Sequence, residues 1–171
     1  LKLILMLHLK NSLHKGLALL LTCSFYLSQA QEQIPEWTHF RGIRLDGISR
    51  ERDLPKTWND STHIQWKTAI EGQGWSSPVV LGNQIWLTTA TEGGLEMRAL
   101  CLDFSTGELI HNRVVFTPDS LYRKHAINSY ATPTPAMEEG FVYVHFGRYG
   151  TACLDVRTGE TIWERTDMQC E

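Results

Sequence analysis

The stretch Cys153-Leu154-Asp155-Val156-Arg157-Thr158-Gly159-Glu160, followed by Trp163, decides the fold because it occurs twice. Fifty-two residues earlier the chain reads Cys101-Leu102-Asp103-Phe104-Ser105-Thr106-Gly107-Glu108, with His111 in the place of Trp163. Each copy predicts a hairpin turn. The Asp accepts bonds from turn N–H groups, the Thr caps the turn, and the Gly takes the left-handed position. Asp103, Thr106, Gly107, Asp155, Thr158, Gly159 and Trp163 are therefore read as a structural repeat motif.

The repeat extends outward from these turns. Ser77-Pro78-Val79-Val80, a turn at Gly82-Asn83 and Gln84-Ile85-Trp86-Leu87 form one block. Thr134-Pro135-Ala136-Met137, a turn at Glu139-Gly140 and Phe141-Val142-Tyr143-Val144 form the second, at an offset of 57. The excess of five over the first offset is expected as a longer loop around Thr91-Glu92-Gly93-Gly94. The blocks are rich in β-branched and aromatic residues, which suit a pleated surface. Alternation assigns Val142, Val144 and Phe146 to one face and Phe141, Tyr143 and His145 to the other. No helical period emerges between residues 60 and 171. Each unit reads as four short strands, and a sandwich has no need to repeat one hairpin at this spacing. The expected fold is an all-β propeller of four-stranded blades, with two blades plus one N-terminal strand of a larger ring. That extra strand is expected at Ile64-Gln65-Trp66-Lys67, which resembles Ile162-Trp163-Glu164. Trp163 is expected to lie across a following blade, and His111 to make a weaker version of that contact. Trp75 and Tyr130 are expected to pack between blades.

Composition and the N-terminal segment bound the function classes. The chain has 171 residues, a net charge of −3 and 42% hydrophobic residues. Residues 1–30 hold Lys2, Lys10 and Lys15 and no acid, then an apolar run over 16–27, then Ser28-Gln29-Ala30. That layout is a signal peptide cleaved before Gln31, and the run is short for a membrane span of roughly 20 residues. An uncleaved anchor and lipidation at Cys23 stay open. The remaining chain holds 13 bases against 19 acids, a charge of −6. This balance argues against nucleic acid and against an anionic membrane as partner, and suits export to the periplasm or extracellular space. The domain reading is 1–30 signal peptide, 31–62 lead-in segment, 63–171 partial propeller.

Cys153-x-Asp155-x-x-Thr158-Gly159-Glu160-x-x-Trp163 resembles the tryptophan-docking repeat of bacterial exported PQQ-binding-like, quinoprotein-type β-propellers. The copy from Cys101 departs from it at His111. Trp37-x-x-Phe40-Arg41-Gly42 with Asp46-Gly47, Gly74-Trp75-Ser76-Ser77-Pro78 and Asn128-Ser129-Tyr130-Ala131-Thr132-Pro133 carry the same resemblance, over residues 36–171. It implies a ring of seven or eight blades, so the chain is expected to be an N-terminal fragment. It also implies two functional classes. One is a non-catalytic binding or scaffold propeller of the cell envelope. The alternative is a PQQ-dependent oxidoreductase, whose family uses adjacent cysteines, a calcium ion held by carboxylates or Asn, and a catalytic Asp.

The chain itself supplies no cofactor motif. The histidines at 39, 63, 111, 125 and 145 have no metal-ligand spacing and no Cys-x-x-Cys accompanies them. Cys101 and Cys153 read as small buried residues. No adjacent cysteine pair exists, so PQQ with calcium enters only under the alternative. The polar, aromatic-rich stretch Tyr122-Arg123-Lys124-His125-Ala126-Ile127-Asn128-Ser129-Tyr130 leads into an innermost strand, near one mouth of the channel. His125, Asn128 and Ser129 are the candidate contacts to a protein or small-molecule ligand there. The competing reading is a loop fixed by its own hydrogen bonds.

Overall fold

The computed structural model describes residues 35–167. The expected signal peptide lies outside these residues. Among the described residues nine strands form two antiparallel sheets. The first sheet runs in the order β1 (Glu36–Trp37), β2 (Val79–Leu81), β3 (Gln84–Thr91), β4 (Glu96–Asp103) and β5 (Leu109–Phe116). The second runs β6 (Ala136–Glu138), β7 (Phe141–His145), β8 (Thr151–Asp155) and β9 (Thr161–Arg165). Strands β2–β5 and β6–β9 are equivalent up-and-down meanders, so the chain forms two successive propeller blades. Helix among the described residues is confined to two three-residue 3-10 turns, Glu92–Gly94 and Gly147–Tyr149. No helix among them is long and apolar enough to cross a membrane.

The repeated turns coincide bond for bond. Asp103 Oδ1 accepts from the backbone N–H of Ser105 and of Thr106, both at 2.8 Å. Asp155 Oδ1 accepts from Arg157 and Thr158 at 2.8 and 2.9 Å. Thr106 and Thr158 hydroxyls accept from Glu108 and Glu160 N–H groups, both at 3.2 Å. Gly107 and Gly159 sit at φ +73° and +68°, where a side chain is strained. These bonds, led by those from Thr106 and Thr158, hold both carboxyls below their ordinary range.

The blades pack through alternating faces. Trp86, Met97, Ala99 and Cys101 of the first meet Val142, Val144, Ala152 and Leu154 of the second in one buried cluster. Phe116 meets Phe146 edge-on, with centroids 5.9 Å apart. The expected face assignment in β7 holds: Val142, Val144 and Phe146 are buried and Phe141 is exposed. Cys101 and Cys153 are buried free thiols, and burial pushes the Cys101 thiol up to about 12.

Two expectations are corrected. The five extra residues of the first unit do not enlarge a loop. They lengthen its central hairpin, whose arms β3 and β4 have eight residues each against five in β7 and β8. The lead-in segment adds a short strand to the first sheet. Glu36 and Trp37 pair with Leu81 and Val80, and Thr38 O accepts from Met137 N at 3.0 Å, so the segment crosses the inner edges of both blades. Finally, residues 64–67 join no strand ladder, since their partner is a turn and not a neighbouring strand.

Candidate functional site

Docking between units repeats, a ring from the preceding unit covering the turn glycine each time. The Trp66 ring lies against Gly107, so closely that a Cβ there would overlap it, and its indole N–H donates to Phe104 O at 3.0 Å. Gln65 and Thr68 add bonds to the Ser105 and Gly107 carbonyls at 2.6 and 2.5 Å. One unit later, the His111 ring lies against Gly159, where a Cβ would come within 2.8 Å of it, and Arg113 donates to Thr158 O at 2.8 Å. Trp163 and Arg165 occupy the same positions on β9. Trp163 rests on Tyr143, with centroids 6.1 Å apart, and is 41% exposed. It covers no turn among the described residues, so the expected crossing onto a next blade is not seen there.

His111 leaves one buried polar atom, Nε2, without a hydrogen-bond partner. The carbonyl that an indole would reach, Val156 O, is bound instead by Gln84 Nε2 at 2.9 Å. Gln84 Oε1 in turn accepts from Trp86 Nε1 at 3.0 Å. Sequence reasoning missed Gln84 because its role depends on a carbonyl 72 residues away.

The candidate loop precedes β6 as residues 68–78 precede β2, and the two run at the same end of the blades. Trp75 N donates to Ala131 O at 2.9 Å and Ser77 N to Thr134 Oγ1 at 3.0 Å, which ties the two approaches together. Between them lies a shallow depression of about 410 Å³, lined by Trp75, His125, Ile127 and Asn128. Trp75 is 64% exposed and Ile127 77% exposed, which corrects the expectation that Trp75 packs between blades. Tyr130 does pack there, its ring against Gly94 of the first blade's long hairpin.

The three candidate residues are adjacent but differ in availability. Ser129 is buried and its Oγ accepts from Ala131 N at 3.1 Å. Asn128 Oδ1 accepts from the Thr132 hydroxyl at 2.5 Å and from Ser129 N at 3.1 Å. His125 O accepts from Asn128 N at 2.9 Å. Those oxygens shape the backbone and present Ile127 and the faces of His125 and Asn128 to solvent. The surface signal missed in the sequence is Ile127, an isolated apolar residue in a polar stretch.

Asp103 Oδ1 and Asp155 Oδ1 each accept from two turn N–H groups, and no three His, Cys, Asp or Glu side chains gather into a metal-binding group among the described residues.

No family model matches the chain, and no curated protein matches it. Among solved structures it is similar to the crystal structure of BamB from Moraxella catarrhalis. The identity is 20% and the TM-score 0.43, over 58% of this chain and 30% of that one. The match thus spans less than a third of the BamB chain's length.

Proposed function

We propose that the chain belongs to a non-catalytic β-propeller scaffold of the bacterial cell envelope, exported to the periplasm or extracellular space, which holds a partner at the mouth of its channel. The depression between Trp75 and Ile127 carries this reading. Exposed apolar side chains stand there on a loop whose own hydrogen bonds fix it. Such a surface binds by shape and burial. Catalysis asks instead for groups poised to move protons or hold a metal. The Asn128 and Ser129 oxygens serve the backbone, which favours binding over turnover.

The test is titration of the full chain with PQQ and calcium. The expected result is no stoichiometric change in the visible spectrum and no dye reduction with alcohols or sugars. Stoichiometric binding together with dye reduction overturns the non-catalytic reading. Export is checked on the product secreted from a bacterial host, whose expected N-terminus is Gln31. Retention of residues 1–30 in a membrane-embedded product refutes that part.

A further inference from the structure

The loop that carries His125, Ile127 and Asn128 also forms, with Arg148 and Tyr149, a rim of stacked rings and cations. Tyr122 and Tyr149 lie 5.4 Å apart by centroid, and Tyr130 and Tyr149 6.1 Å. Arg148 sits 5.5 Å from the Tyr122 ring and Lys124 Nζ 5.4 Å from the Tyr130 ring. Tyr122 N donates to Tyr149 Oη at 2.7 Å and Tyr130 Oη to Tyr122 O at 3.0 Å. The rim is therefore rigid, which lowers the ordering cost of binding.

Its charge is also left uncompensated. The ion pairs among the described residues engage Arg44, Lys67, Arg98 and Arg165, and none engages Arg123, Lys124 or Arg148. A cation over a ring is held by the ring quadrupole and keeps its full charge. Residues 122–130 and 147–149 together carry these three cations and His125 but no carboxylate, in a chain whose net charge is negative. Glu71 and Glu92 share a neighbouring cleft with Lys124 and temper it. Arg123 and Arg148 remain as the free cations of the rim.

We infer that this rim docks an acidic polypeptide segment bearing one bulky apolar residue. The apolar side chain seats between Trp75 and Ile127, and flanking carboxylates meet Arg123 and Arg148. The inference rests on the reading of the mouth as a binding site and names its occupant. A shallow depression of about 410 Å³ suits a side chain better than a cofactor that must be enclosed. The negative net charge disfavours extended polyanions, while a short acidic segment senses the local field within about 8 Å, the Debye length at physiological salt.

The test uses the full chain and three labelled ten-residue peptides: acidic with a central Leu, the same with Lys for each acid, and the acidic peptide with Ser for Leu. By fluorescence anisotropy only the first is expected to bind, more weakly at high salt. Arg123→Glu combined with Arg148→Glu should weaken it about tenfold or more. Ile127→Ser should weaken it without altering the thermal midpoint, and Lys56→Glu should change nothing. If the Arg148 change lowers the midpoint, Arg123→Glu alone carries the comparison. Equal binding of the Lys or Ser peptide overturns the acidic, anchored occupant and leaves the mouth reading in place. Binding indifferent to Ile127→Ser and to charge reversal overturns the location. Binding of phosphatidylglycerol vesicles in place of peptide, lost on charge reversal, makes the rim a lipid surface and overturns the proposal. No binding of any probe overturns it too, while the PQQ titration judges the scaffold reading independently.

Discussion

Replacing Trp66 with Ala should remove the contact that pins residues 64–68 to the first blade. The half-buried ring lies on Gly107, and its N–H holds the Phe104 carbonyl at 3.0 Å. Full burial of an aromatic is worth roughly 3–5 kcal/mol on truncation, and partial exposure puts Trp66 at the lower end. The lost hydrogen bond contributes about 1 kcal/mol of that. The expected cost is therefore about 3 kcal/mol in urea melts followed by far-UV circular dichroism. Trp66→Phe should cost about 1 kcal/mol, since it keeps most of the ring and loses the donor. The mechanism is sharpened by Gly107→Ala. Its Cβ would overlap the indole and its φ of +73° strains any side chain, so the single change should cost more than the roughly 1–2 kcal/mol of strain alone. In the Trp66→Ala background the strain and the approach to Thr68 Oγ1 at 2.9 Å should remain, and the larger overlap with the indole should be gone. The double-mutant cycle thus predicts a coupling of about 1 kcal/mol or more, with the pair less damaging than the sum. Additive losses, or a Trp66→Ala cost no larger than that of the exposed Trp75→Ala, would refute the docking account.

Two further outcomes follow from the turns and the core. Asp103 and Asp155 have folded-state values below the ordinary 3.8, so the unfolded chain binds more protons in that window. Their contribution is complete above about 3.8 and lost as pH falls through the lower folded values. The urea midpoint should drop over that range, and less so in Asp103→Asn with Asp155→Asn. Burial of Cys101 and Cys153 predicts that iodoacetamide leaves both unmodified in the native chain and labels both in urea, as read by peptide mass mapping. Native-state labelling at Cys101 would contradict its burial.

What the sequence disclosed is local, and what it hid is non-local. The Asp-x-x-Thr-Gly turns were legible because the bonds their own Asp, Thr and Gly make to the turn backbone span only a few residues. The inward faces of β7 and β8 were legible because a period of two needs no partner to be read. The lead-in strand was not, because Glu36 and Trp37 pair across more than forty residues and two residues carry no period. The longer hairpin was misplaced for a related reason. An alignment counts five residues but does not say whether they extend the arms or the tip. In the candidate site, the position of His125, Asn128 and Ser129 was readable as a loop before an inner strand. Which of their atoms the loop itself consumes was not, since this depends on Ala131 and Thr132 folding back.

The two docking solutions show how one departure from a repeat is absorbed. At the first turn an indole covers the glycine and binds the carbonyl two residues before Thr106. At the second, imidazole is too small to do both, and it covers Gly159 alone. An unbonded Val156 carbonyl there would cost about 1–3 kcal/mol once buried. Gln84 supplies the donor, and it is oriented for this because its own oxygen is held by Trp86. The later unit has Phe141 in the place of Gln84 and restores tryptophan at 163. The two positions vary together, amide with imidazole and apolar ring with indole, as a shared hydrogen-bonding duty requires. The surface around Trp163 therefore repeats the ring of the first solution: an indole stands where Trp66 stands one turn earlier, while the Arg165 guanidinium is paired with Asp167.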